Sequence, residues 1–104
     1  MGEQMQTDLI IEDNGSARLI VGGEIDVSVA HELAAAVDKA CAAAPSQLLI
    51  DLAAVSFCDS SGIAQLVRAV QMCDNTGTEC RIEHSAPIVR RAFDACGLGD
   101  ILER

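Results

Sequence analysis

Residues 48–63 read LLIDLAAVSFCDSSGI: an apolar run, Leu48-Leu49-Ile50-Asp51-Leu52, followed within a few residues by Phe57-Cys58-Asp59-Ser60-Ser61-Gly62-Ile63. The run is continuous and broken by a single acid, the pattern of a strand covered on both faces and therefore central in its sheet. Beyond the polar cluster, Ile63, Leu66, Val67 and Val70 fall at i, i+3, i+4 and i+7. That is the stripe of an amphipathic helix, and it fades at Asp74-Asn75-Thr76-Gly77. An acid, two hydroxyls and a glycine therefore stand at a strand-to-helix corner.

Working outward, Leu9-Ile10-Ile11 and Ala17 to Val21 flank the turn signal Asp13-Asn14-Gly15-Ser16. Two short strands joined by a reverse turn are predicted, the second ended by Gly22-Gly23 and the first preceded by a polar, mobile N-terminus over residues 1–7. Val29, Leu33, Ala36, Val37 and Ala40 recur at helical spacing, with an N-cap oxygen offered by Asp26 or Ser28 and an end near Pro45. Glu79 to Glu83 alternates like a strand. Pro87 opens a third helix, with Val89, Ala92, Phe93 and Cys96 predicted to face inward and Gly97 to stop it. Leu98, Ile101 and Leu102 fold back as a last turn. Strands alternating with helices predict an α/β fold: a single small domain over residues 1–104, with a mixed, largely parallel sheet of four to five strands flanked by helices.

Composition narrows the class. A chain of 104 residues closes one core, and with only two aromatics, Phe57 and Phe93, that core is built from Leu, Ile, Val and Ala. No stretch reaches the roughly 18 apolar residues of a membrane span, and MGEQMQTD lacks the basic and apolar regions of a signal peptide. Thr7 falls one place beyond the hydroxyl position of a lipidation signal. A cytoplasmic location is expected. The formal net charge of -9 argues against a nucleic-acid binder and suits a basic partner; Arg90-Arg91 reads as a solvated helix face. The five cysteines, at 41, 58, 73, 80 and 96, are odd in number and form no C-x-x-C pair. With His31 and His84 not placed to complete a zinc set, they read as reduced, mostly buried apolar residues, with no metal and no cofactor expected. Cys58, beside the polar cluster, has no base near it in sequence to activate it.

The polar cluster admits two chemistries. The first N–H groups of a helix lack intrahelical partners, and Asp59, Ser60 or Ser61 can accept from them, so a plain helix cap is one reading. Presentation of a serine to another protein is the other. Hydrolysis is not expected: G-x-S-x-G is absent, since Phe57-Cys58-Asp59 precedes the serines and no glycine stands two residues before either. Gly22-Gly23-Glu24 is too short for a phosphate loop.

Three blocks, Gly23-Glu24-Ile25-Asp26, Leu49-Ile50-Asp51-Leu52 through Val55-Ser56-Phe57-Cys58-Asp59-Ser60-Ser61-Gly62-Ile63, and Val89-Arg90-Arg91-Ala92-Phe93 with Gly97-Leu98, resemble in order and spacing the STAS-domain family, in particular the bacterial anti-sigma factor antagonists. The likeness runs from about Leu9 to Leu102. It implies a small mixed sheet flanked by helices, and a binding protein rather than an enzyme. The first serine of the family's D-S-S-G maps onto Ser60 as phosphoacceptor. The implied partners are an anti-sigma factor that is also a serine kinase, bound and so made to release a sigma factor, and a PP2C-type phosphatase that restores the switch. The implied partner-binding residues are Asp26, Asp59, Ser60, Ser61 and Gly62, with Asp59 orienting the site, Asp26 close to it and Gly62 keeping the approach open. A monomer that pairs with its partner is expected. The alternatives are a STAS module of a lipid-transport or stress-signalling complex, or a domain binding a nucleotide or small anion at the second helix's N-terminus.

Overall fold

The computed structural model describes residues 4–103. Four strands, β1 (Gln6–Ile11), β2 (Ala17–Ile25), β3 (Gln47–Cys58) and β4 (Glu79–Glu83), form one sheet in the order β1-β2-β3-β4. The β1–β2 pair is an antiparallel hairpin, while β2–β3 and β3–β4 are parallel. Helices α1 (Ala30–Ala42) and α2 (Ser60–Thr76) make the two parallel crossovers; α3 (Pro87–Ala95) and a closing 3-10 turn (Gly99–Glu103) follow β4. This is the predicted mixed α/β architecture, with the sheet at four strands.

The burial pattern shows where the core sits. Along β2, Ala17, Leu19, Val21, Gly23 and Ile25 are buried and the residues alternating with them are only partly covered. In the same register Leu48, Ile50 and Leu52 of β3 and Cys80 and Ile82 of β4 are buried. Against this one face pack Leu33, Val37 and Ala40 of α1, Ile63, Leu66, Ala69 and Val70 of α2, and Val89 and Phe93 of α3. Arg68 ties the two crossover helices together, donating to the Asp38 carboxylate at 2.7 Å and to the Ala34 carbonyl at 3.0 Å. The opposite face of the sheet carries partly covered Leu49 and Asp51, with the Arg18 guanidinium 3.8 Å from Asp51. The apolar run at 48–52 is thus not covered on both faces as its sequence suggested; Leu49 completes the run from the open side.

Several local expectations change. Gly22-Gly23 does not end β2, which continues to Ile25 through two register irregularities against β3. Gly23 has φ +85°, and a Cβ there would collide with the backbone carbonyl of Gln4, so only glycine lets the N-terminal segment lie this close. Of the N-terminus read as mobile, Gln6 and Thr7 belong to β1 and Met5 packs on the core; residues 1–3 lie outside the described residues. α1 is capped by neither Asp26 nor Ser28: its N-cap is Val29, without a side-chain hydrogen bond. Cys96 is exposed at the C-cap of α3 instead of facing inward.

Candidate functional site

Because β2, β3 and β4 run parallel, their C-terminal ends and the loops that follow lie at one end of the sheet. β2 ends at Ile25 and β3 at Cys58, and these two residues are ladder partners. The chain leaving β3 is fixed to the end of β2 by the Asp59 N–H donating to the Ile25 carbonyl at 3.0 Å. Asp59 then turns into α2 in an extended conformation (φ −93°, ψ −175°), the geometry of an N-cap.

One oxygen, Asp59 Oδ1, accepts from the Ser61 N–H at 2.9 Å, the Gly62 N–H at 3.2 Å and the Ser61 hydroxyl. The Val27 backbone, in the β2–α1 turn, adds a weaker favourable influence on this carboxylate. Its pKa is held below the ordinary 3.8, chiefly by the Ser61 hydroxyl; burial opposes this as the next largest effect, and the backbone N–H groups of Gly62 and Ser61 add to the lowering. Asp59 therefore joins the start of α2, through its carboxylate, to the end of β2, through its backbone N–H. The plain-cap reading is correct for Asp59.

The two serines are not equivalent. Ser61 is partly buried and its hydroxyl is engaged by Asp59. Ser60, the first residue of α2, is exposed, and its side chain has no hydrogen bond to a described residue. Gly62 is buried: a Cβ there would lie 2.5 Å from Ile25 Cγ2 and 2.8 Å from Cys58 Sγ. Its role is close packing of α2 onto the β2–β3 seam, not an open approach to the serine. Asp26 follows Ile25, whose carbonyl accepts from the Asp59 N–H, and itself accepts from the Ser28 N–H at 3.0 Å and the Ser28 hydroxyl, within its own turn.

Cys58 is inert. It is 4% exposed, and its thiol is pushed up to about 12 by burial first and by the neighbouring Asp59 charge second. A thiol so raised carries almost no thiolate near neutrality. Among the described residues no group of His, Cys, Asp and Glu is placed to hold a metal, and no helix is long and apolar enough to cross a membrane.

Sequence reasoning missed three features of this end. The Ile25 carbonyl holds Asp59 through its backbone N–H, Val27 and Phe57 are exposed apolar side chains beside the corner, and Glu24 and Glu32 join Asp26 in lining a hollow of about 320 Å³. Phe57, an aromatic in a chain with two, was the available signal.

Comparison with known proteins places the architecture. The STAS domain profile matches residues 10–103. The chain is 34% identical over 95 residues to the anti-sigma-F factor antagonist RsfA of Mycobacterium tuberculosis, covering 88% of this chain and 74% of that protein. The crystal structure of an anti-sigma factor antagonist from Mycobacterium paratuberculosis superposes with a TM-score of 0.83 at 30% identity, over 93% of this chain and 81% of that one. The Bacillus cell fate determinant SpoIIAA in its phosphorylated form shares the fold, with a TM-score of 0.71 at 20% identity over 92% and 87% of the two chains. By the profile match over residues 10–103 and by its likeness in sequence and fold to these proteins, this chain belongs to the STAS domain family.

Proposed function

We propose that this chain is an anti-sigma factor antagonist whose grip on its partner is switched by phosphorylation of Ser60. It is a binding protein and a kinase substrate, not an enzyme, and it acts in the cytoplasm as a monomer. The partner is an anti-sigma factor with serine kinase activity, and a PP2C-type phosphatase resets the switch. Asp26, Asp59 and Ser61 frame the contact. The observation that carries the reading is the contrast between the two serines: Ser60 stands exposed on a rigid corner, while the hydroxyl of Ser61 is engaged by Asp59. The relatives named as anti-sigma factor antagonists supply the partner class.

Phosphorylation adds about −1.5 to −2 charges and three acceptor oxygens. Against a partner carboxylate about 8 Å away at an effective dielectric of about 20, that is roughly 3 to 4 kcal/mol of repulsion, or two to three orders of magnitude in affinity. The test begins with the anti-sigma factor that the immobilised chain retains from a lysate of its source, identified by mass spectrometry and purified. Incubated with it and ATP, wild type and Ser61→Ala are expected to gain one phosphate and Ser60→Ala none, and the phosphorylated form to bind at least a hundredfold more weakly. A phosphate mapped to another residue, or equal affinity of the two forms, sinks the reading.

A further inference from the structure

The end of the sheet that bears Ser60 also bears apolar surface that a phosphate switch does not require. Val27 is 75% exposed and Phe57 42% exposed, and both border the Asp59 corner: Val27 stands two residues beyond Ile25, whose carbonyl accepts from the Asp59 N–H at 3.0 Å, and Phe57 stands two residues before Asp59, opposite Glu24 on β2. A neighbouring hollow is lined by Glu24, Asp26 and Glu32, with no Lys or Arg among its lining residues. An exposed aromatic beside an aliphatic, rimmed on one side by charges of one sign, has the make-up of a protein interface whose partner carries the opposite charge. A lone exposed apolar residue is unremarkable; Ile11, 54% exposed, pairs with Ala17 at the far end of the sheet and has no such setting.

We propose that Val27 and Phe57 are the apolar anchors by which the unphosphorylated chain holds its anti-sigma factor, and that the partner meets them with an apolar patch flanked by Lys or Arg side chains seated over Glu24, Asp26 and Glu32. The inference rests on the reading of Ser60 as the switch and gives that contact its chemistry. The acids lie on the β2–α1 side of Val27, whereas Ser60 opens α2 on the β3 side. A phosphate on Ser60 therefore faces the apolar centre of the contact, where it would be desolvated without a counter-charge, and not the basic rim that would welcome it. The acidic rim governs encounter and the anchors govern residence.

The experiment is a kinetic binding measurement with the purified anti-sigma factor, at low and high salt. The variants are Val27→Ser, Phe57→Ala, the pair Glu24→Gln with Glu32→Gln, and Ile11→Ala as control. Val27→Ser and Phe57→Ala are expected to weaken binding about tenfold or more, through faster dissociation. The glutamine pair is expected to slow association and flatten its salt dependence, and Ile11→Ala to stay within about twofold. Thermal melts monitor folding, and the largely exposed Val27 keeps the test valid should Phe57→Ala lose stability. Affinities within about twofold of wild type for both anchor variants, with the Ser60 switch intact, overturn this inference and leave the switch standing. So does an equal loss in Ile11→Ala, or self-association of the wild type through these residues. A wild-type chain that binds no anti-sigma factor overturns both readings.

Discussion

Replacing Asp59 by alanine tests the corner directly. The change removes the acceptor of the Ser61 and Gly62 N–H groups and the Ser61 hydroxyl. Loss of an N-cap acceptor costs about 0.5 to 2 kcal/mol, and the upper half of that range applies because one oxygen accepts all three of these bonds. In a domain of this size that is a fall of about 5 to 10 °C in melting temperature. The pH dependence carries the finer test. The Asp59 carboxyl titrates below its ordinary 3.8 in the folded chain, so its ionised form stabilises the fold fully at pH values above 3.8. As pH falls below 3.8 the unfolded chain takes up the proton first, and the contribution shrinks until it is gone below the depressed native value. The stability gap between wild type and Asp59→Ala, read from urea unfolding at stepped pH, is therefore constant from pH 7 down to about 5 and closes in acid. Asp59→Asn, which keeps an acceptor and loses the charge, lies between them with a flatter profile. Equal stabilities at pH 7, or a gap that widens in acid, would refute the argument that this carboxylate holds the corner as an ion.

Two further outcomes follow from packing. Gly62→Ala places a methyl 2.5 Å from Ile25 Cγ2 and 2.8 Å from Cys58 Sγ; overpacking of about 1 to 3 kcal/mol exceeds the gain of up to about 1 kcal/mol in helix propensity, so urea unfolding is expected to show a net loss and a stabilised variant would contradict the packing. Alkylation of the native chain at neutral pH, mapped by peptide mass, is expected to label the exposed Cys96 quickly and to reach Cys58, Cys73 and Cys80 only through unfolding, because all three are buried and burial raises the thiols of Cys58 and Cys73; labelling of Cys58 as fast as Cys96 would contradict it.

What the sequence shows of this fold depends on whether the deciding interaction is local. β4 is found at Glu79–Glu83 and α3 opens at Pro87, as alternation and proline's fixed φ predict. The cap at Asp59 is legible for the same reason: an acid four residues before Ile63 satisfies N–H groups within its own turn. The errors arise where a distant segment decides. Gly22-Gly23 reads as a strand end because two glycines weaken any local preference, yet the β3 ladder on one side and Gln4-Met5 on the other hold them in the sheet. β3 runs six residues past Leu52 through Ala53-Ala54, which have no periodicity of their own. Gly62 sits in a serine motif, but the atoms that demand a glycine belong to Ile25 and Cys58. The open face of the sheet is equally hidden, since Leu49 fits a two-sided run as well as a half-covered one.

The arrangement at Ser60 separates the effect of a phosphate on the fold from its effect on binding. The Ser61 and Gly62 N–H groups are already taken by Asp59 Oδ1 and that of Ile63 by the Asp59 carbonyl. A phosphate on Ser60 would thus gain little beyond the helix dipole, about 0.3 to 1 kcal/mol at an exposed site. Repulsion from the Asp59 carboxylate, at about 6 Å across water, is about 1 to 1.4 kcal/mol for a charge near −2. The two nearly cancel, so the corner would keep its shape whether or not Ser60 is modified. Beneath a partner the effective dielectric falls and the same charge would cost several times more, with the Ser61, Gly62 and Ile63 N–H groups already engaged. The proposed switch therefore acts on the complex and hardly at all on the free chain, which is why the Ser60 experiment is read in affinity and not in melting temperature.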